Sequence, residues 1–341
     1  MRFFKSTIFI LSAILFFSCN NSQKNTSGNT GLSYYYNEGE AHGTFYHIKY
    51  EYNKDLQEEI DKRTKEIDGS LSTFVDTSTI SLINKDSDNV FLDSLFLKVF
   101  YTAKDVWEKT GGAFDMTVAP LVNAWGFGFT DTAKVDSSLI DSLMQFVGFQ
   151  KIDVRDNKIV KQEKGIMLDA SAIAKGYSID YVGEYFESLG IKNYLVEIGG
   201  EVRVKGVNEK GNLWTVGIDK PIFDETASHR ELQEIISLNN KSIATSGNYR
   251  HFYIKNNVMY SHTIDPKTGY PVQHSILSAS VIAPDCMTAD AYATAFMVLG
   301  VDKALAIAKA DSTLETYLIY QDKDGNLAVK MTDGFKKLIK H

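Results

Sequence analysis

The chain holds two cysteines in 341 residues, Cys19 and Cys286, so it has no disulfide framework and must rely on a packed core. Positive charge is also short. Lysine and arginine total 36 against 43 aspartates and glutamates, for a net charge of -7, and no basic stripe offsets the surplus. That excludes the electrostatic footprint of a nucleic-acid binder, so no nucleic-acid partner is expected. It also means that a phosphate-bearing ligand would need a metal ion or oriented N–H groups to hold it. Neither a Gly-x-Gly-x-x-Gly loop nor a Walker-type lysine loop occurs, which removes the standard nucleotide folds. Proline is scarce, at five residues, and no linker-like stretch or short-period repeat follows residue 34. What is present is 44% apolar and 23% charged residues, the composition of an ordinary globular protein of one or two domains.

The amino terminus stands apart from the fold. Arg2 and Lys5 precede an apolar run from Ile8 to Phe17, which Ser18-Cys19 closes. The run is too short for a normal membrane span and reads as an export signal over residues 1–18. It resembles a bacterial lipoprotein signal, in which the cysteine is lipidated and becomes the new first residue, with Phe16 where such signals usually carry Leu. A simple cleaved signal or an uncleaved anchor are the alternatives. Residues 19–33 then form a polar, flexible tether, and residues 34–341 the folded domain. The expected location is the cell envelope, lipid-anchored through Cys19 at the periplasmic face of the inner membrane.

Periodicity predicts a strand at Gly43–Tyr50, helices at Asp55–Ser70, Ile80–Asn84, Ser94–Thr110 and Asp136–Val147, and a hairpin over Lys151–Gln162 turning at Asp156-Asn157. Gly112–Gly128 shows no clean period and reads as a loop, either a binding wall or a structural loop whose Phe114 and Trp125 fill the interior. A helix is expected from Leu168 to Gly190. Seven short strand-like runs between Asn193 and Ala283 imply largely antiparallel sheet, and a helix at Asp302–Ala310 precedes a closing hairpin, Leu314–Tyr320 with Leu327–Met331.

Two stretches carry candidate chemistry. Asp285 to Ala295 is a small-residue helix start with Asp290 and Thr294 at i and i+4, on one face. A hard cation such as Mg2+, which takes one or two protein oxygens plus substrate phosphates, suits this pair better than any His or Cys set in the chain. Alternatively Asp290 caps a helix and Thr294 bonds its own backbone. Asp169, Ser171 and Lys175 lie within two turns of the expected Leu168 helix start, where they could receive a nucleotide. Alternatively Asp169 and Ser171 are ordinary caps and Lys175 is solvated.

These residues, taken in order with others, resemble the ApbE family of bacterial flavin transferases over nearly the whole region after the tether. The resemblance rests on Gly43-Thr44, Ser72-Thr73-Phe74, Gly112-Ala113-Phe114-Asp115, and Leu121-Val122-Asn123 with Trp125 to Gly128. It continues through Leu168-Asp169 with Ala172 to Tyr177, Glu197 to Glu201, Ala244 to Gly247, Ser261-His262 with Asp265-Pro266 and Thr268-Gly269, and Ala289-Asp290-Ala291 with Ala293-Thr294-Ala295. It implies an α+β fold related to the T-fold, with largely antiparallel sheets, packed helices and the site in a cleft. It further implies that FAD lies along His42, Phe74, Ala113, Phe114, Asp115, Asp169, Lys175 and Ile264. Mg2+ would be held by the Ala172 carbonyl, Asp290 and Thr294. His42 stands where the family usually carries Met.

The reaction implied is transfer of the FMN half of FAD to a Thr or Ser hydroxyl of a partner flavoprotein of a membrane redox complex, with release of AMP. His262 is the candidate base for the hydroxyl proton, since a neutral imidazole suits that task near pH 7, or else it is a structural residue of the turn leading to Asp265-Pro266. Two other readings use the same residues: an FAD pyrophosphatase, with water as acceptor, and a non-catalytic flavin-binding lipoprotein.

Overall fold

A computed structural model gives the fold and describes residues 31–128, 135–222, 231–248, 252–255 and 258–340. The expected export signal, Cys19 and nearly all of the expected tether lie outside those residues. The chain enters on a hairpin of β1 (Ser33–Ala41) and β2 (Thr44–Tyr52). Its two turn residues, His42 and Gly43, both have positive φ, 53° and 73°, as a twisted two-residue hairpin demands. A helical layer follows: α1 (Gln57–Leu71), α2 (Thr79–Asn84) and α3 (Ser94–Lys109). Ser78 and Asp93 start α2 and α3 by accepting from the N–H groups of Ser81 and Phe96.

After a short 3-10 turn at Met116–Val118 come α4 (Ala119–Ala124), α5 (Ser137–Met144) and the hairpin β3 (Ile152–Arg155) and β4 (Lys158–Lys161). That hairpin turns at Asp156-Asn157 as expected, with φ of 50° and 57°. Then follow α6 (Ala174–Ser188), β5 (Tyr194–Ile198), β6 (Glu201–Lys205), β7 (Trp214–Asp219), β8 (Leu232–Leu238), β9 (Lys241–Gly247), β10 (Phe252–Lys255), β11 (Val258–Ser261) and β12 (Ile276–Ala283). The chain closes with α7 (Cys286–Leu299), α8 (Val301–Ala310), β13 (Glu315–Gln321), β14 (Leu327–Met331) and α9 (Asp333–Lys336).

The main sheet has eight strands in the order β1-β2-β5-β6-β9-β12-β13-β14, each antiparallel to its neighbours. This is the expected α+β arrangement. β12 is buried along its whole length. Its Ala279, Val281 and Ala283 join the helical core, while Ile282 joins Ile236, Leu238 and Phe335 on the opposite face. The sheet is therefore covered on both sides at its centre, by helices on one face and by the β7–β8 hairpin with α9 on the other. Helix α7 lies on β9 and β12 and against α3 and α6. Ala289, Ala291, Ala293 and Ala295 are fully buried there, and their small side chains let the helix lie close to its neighbours.

Two expectations are corrected. The helix expected from Leu168 begins only at Ala174, because Asp169 Oδ1 accepts from the Ser171 N–H and hydroxyl in a local turn that competes with helix. Gly112–Gly128 is not all loop: it contains α4, with Pro120 in its first turn, where the missing N–H costs nothing. As for the strand-like stretch that opens at Asn193, it folds back at Gly199-Gly200 into β5 and β6, with φ values of 63° and 103° that favour glycine.

Candidate active site

A cavity of about 360 Å3 opens where one face of α7, the loop before α6, the β5–β6 turn and the end of β9 meet. Helix α7 is capped by Asp285, whose side chain accepts from the Thr288 N–H at 2.8 Å. The cap role thus belongs to Asp285, and Asp290 stands a turn further on. Asp290 is 3% exposed, and its Oδ2 accepts from the Gly176 N–H at 3.1 Å. Thr294, on the same face, places its hydroxyl 3.1 Å from Ser246 Oγ of β9. Both line the cavity.

From α6, Lys175 reaches in between two carboxylates, with its Nζ 2.7 Å from Glu201 Oε1 and 3.9 Å from Asp290 Oδ2. Burial by itself would lower the lysine pKa, but Asp290 and Glu201 outweigh it and raise it, so the ammonium is kept. Glu201 moves the other way from an ordinary carboxylate. Burial pushes it up to about 7, Lys175 opposes that, and the Asp290 charge reinforces it. Its second oxygen, Oε2, is buried without a hydrogen-bond partner.

The opposite wall comes from Ala113, Phe114 and Asp115, and from Ile264 and His262 beyond β11. Asp115 is committed to the fold: its Oδ1 accepts from the Thr117 N–H and hydroxyl, and its Oδ2 from the Phe149 N–H. Burial raises its pKa and those bonds oppose the rise. The His262 ring meets Phe127 edge-on at 6.4 Å. Asp169 and the Ala172 region complete the floor beside Lys175.

Ten of the twelve residues expected at the site therefore line one cavity: Ala113, Phe114, Asp115, Asp169, Ala172, Lys175, His262, Ile264, Asp290 and Thr294. Two do not. The turn that His42 occupies folds its ring onto the helices, with Nδ1 2.7 Å from Asp68 Oδ1 and Nε2 2.7 Å from Ser178 Oγ. Phe74 is 76% exposed in the loop between α1 and α2, outside the cavity lining. Among the residues without an expected role that join the wall are Glu201 and Ser246. The sequence signal for Glu201 was Lys175, a lysine among small residues on a helix that needed a carboxylate partner. The partner lies 26 positions away, where no spacing rule reaches.

Among the described residues, Asp115, Asp169, Glu201, Asp219 and Asp290 face a single lysine across this cavity. Such a wall repels a pyrophosphate unless a cation intervenes. The donors present, carboxylate and hydroxyl oxygens with the orphaned Glu201 Oε2, are the hard ligands that Mg2+ takes. Among the described residues no group of three or more His, Cys, Asp or Glu could hold a metal alone. The residues thus fit a hard cation shared with an anionic ligand, not an all-protein cage.

Residues 42–318 match the ApbE family. A Haemophilus influenzae protein named FAD:protein FMN transferase is 37% identical over 316 residues, covering 88% of this chain and 90% of its own length. A Vibrio cholerae protein of the same name is 38% identical over 310 residues, covering 88% of each chain. Among solved structures, flavin transferase ApbE from Vibrio cholerae superposes with a TM-score of 0.81 at 35% identity, over 90% of this chain and 99% of that one. The ApbE protein of Thermotoga maritima gives 0.78 at 27% identity, over 91% and 100%. With most of the motifs now gathered on one cavity and these matches spanning the folded domain, the chain belongs to the ApbE family.

Proposed function

We propose that this chain is an FAD:protein FMN transferase that moves the FMN half of FAD onto a Thr or Ser hydroxyl of a partner flavoprotein and releases AMP. The observation that carries the reading is the convergence of Asp290, Thr294, Lys175 and His262 on one cavity, in a chain that matches proteins of that name over most of its length. Asp290, Thr294 and the Ala172 carbonyl would hold Mg2+, which when bound supplies neutralising charge to the pyrophosphate. Lys175 keeps its ammonium beside that position and offsets phosphate charge. His262 accepts the proton as the acceptor oxygen forms its bond to the FMN phosphorus. The pyrophosphate P–O bond breaks, and AMP leaves with the electron pair. Ala113, Phe114 and Ile264 give the flavin an apolar wall.

The test supplies FAD, Mg2+ and a partner protein carrying the acceptor hydroxyl. Flavin fluorescence retained by the denatured partner, with equimolar AMP, supports transfer. AMP with free FMN and no labelled partner would make the protein a pyrophosphatase, and no AMP at all a flavin carrier.

We further propose that Cys19 is lipidated and holds the domain at the periplasmic face of the inner membrane, where a membrane redox complex would offer the acceptor. The export-type run and the polar tether support this.

A further inference from the structure

Behind Lys175, Glu201 and Asp290 lies a second row of charge that the reaction does not use. Asp180, five residues after Lys175 on α6, is 1% exposed. Its Oδ1 accepts from the Cys286 N–H at 2.9 Å and from Arg203 Nη1 at 2.6 Å, and its Oδ2 accepts from the Met287 N–H at 2.7 Å. The next two N–H groups of α7, those of Thr288 and Ala289, go to the side chain and carbonyl of Asp285 at 2.8 and 3.3 Å. The last of these is the first regular bond of the helix; the three N–H groups that its first turn leaves open, those of Cys286, Met287 and Thr288, are thus all satisfied, two of them by a neighbouring helix. The carboxylate also faces the positive end of the α7 dipole.

Asp180 follows Gly176 by one turn of α6, and Asp290 follows Cys286 by one turn of α7. The two helices are therefore joined by two rungs: Asp180 to the Cys286 and Met287 amides, and the Gly176 amide to Asp290 Oδ2. Between the rungs there is no slack. A Cβ added to Gly176 would stand 2.4 Å from the Cys286 carbonyl oxygen and 2.9 Å from Asp290 Cβ. Arg203 secures the third side. Its Nη2 donates to Glu187 Oε1 at 3.0 Å and its Nε to the Tyr194 hydroxyl at 3.0 Å. It stands two residues after Glu201 on β6, on the same face of the strand.

We propose that Asp180 is a positioning residue for this site: by fastening the start of α7 to α6 and β6, it fixes where Asp290 stands relative to Lys175 and Glu201. It thereby sets the affinity for the divalent cation of the proposed function, on which this inference rests. An amide at position 180 offers one acceptor oxygen in place of two and turns an NH2 group toward donors, so at least one of its three bonds is lost.

The experiment measures, for the full chain with FAD, the Mg2+ concentration at half-maximal thermal stabilisation, a binding readout that needs no turnover. Asp180→Asn is expected to raise that concentration by about 10- to 100-fold with the far-UV circular dichroism unchanged. Glu187→Gln, which loosens Arg203 without touching α7, is expected to stay within about threefold of the parent, the scatter of ordinary context effects. Equal shifts in the two variants, or a folded Asp180→Asn with the parent's half-saturation, would overturn the proposal. If Asp180→Asn does not fold, the double variant Asp180→Asn with Arg203→Gln leaves no lone buried charge and is read in the same way. A parent chain with no Mg2+ response refutes the metal assignment itself and takes this inference with it, so the two failures are told apart.

Discussion

The ammonium of Lys175 sits 2.7 Å from Glu201 but 3.9 Å from Asp290, although both carboxylates are buried beside it. Glu201 is the lysine's hydrogen-bond partner, and Asp290 keeps an oxygen for another cation. Asp290→Asn retains an acceptor for the Gly176 N–H but loses the charge. We expect FMN transfer to fall by roughly a thousandfold or more, since a metal contact to the transition state contributes several kcal/mol. The melting temperature should move little. His262→Asn should instead slow transfer by ~10²- to 10⁴-fold while leaving Mg2+-dependent FAD binding intact. Transfer assays across a Mg2+ titration, run beside thermal melts, check both variants. Near-normal turnover by Asp290→Asn at low Mg2+ would remove this carboxylate from the metal site.

His42 carries a different expectation. Its ring bridges Asp68 and the fully buried Ser178 from a turn position with positive φ. His42→Met breaks both bonds and leaves Ser178 without that partner, so the domain should lose about 1–3 kcal/mol in denaturant unfolding. FAD affinity should hold, because the ring lies off the cavity. A variant with parental stability and weakened FAD binding would restore His42 to the flavin site.

The pH dependence follows from two raised carboxylates. Glu201 sits at about 7 against an ordinary 4.5, and Asp180 at about 6 against 3.8, each pushed up first by burial. Between the ordinary and the raised values the folded chain holds protons that the unfolded chain has released. The stabilisation is complete below the ordinary values and is lost as pH rises through about 6 to 7. Metal-free melts should therefore fall from pH 5 toward pH 7 (order-of-magnitude window). Glu201→Gln should flatten that fall. An unchanged pH slope in this variant would show that Glu201 does not titrate there.

Anchoring is checked by fractionation. Cys19→Ser should move the protein from the membrane to the soluble fraction and abolish labelling by a fatty-acid probe. Labelling that persists in the variant would rule the lipid anchor out.

Where local chemistry decides structure, the sequence was legible. The expected α3, Ser94–Thr110, differs from the observed helix by one residue, because Asp93 caps its start and Gly111-Gly112 ends it. Asp156-Asn157 announced its hairpin because both residues tolerate the left-handed backbone. The start of α6 was misread because Asp169 and Ser171 bond each other in a turn that periodicity does not see. The motif residues gave most of the cavity wall, since the resemblance supplied their company. Glu201 stood in the resemblance without a role, for a different reason. Its place beside Lys175 depends on how β6 and α6 pack, and that is fixed by the order of strands in the sheet, which no local pattern encodes. For His42 the resemblance implied a flavin contact, whereas the hairpin turn directs its ring onto Asp68 and Ser178, a placement that depends on how α1 and α6 pack under the turn.

Cys286 gives this architecture a built-in clock. It is 0% exposed where α6 crosses the start of α7, and its thiol lies 3.9 Å from the Ile243 carbonyl oxygen. Burial pushes its pKa well up, so the group stays a thiol and is inert while the helices are closed. Residue 19 is the one other cysteine in the sequence, and acylation would consume it. A thiol reagent would then find a single target, reachable only when the foundation of the proposed cation site comes apart. The rate of its modification in the native state reports how often that foundation breathes, and any slowing by FAD and Mg2+ would give the free energy with which the ligands hold it shut.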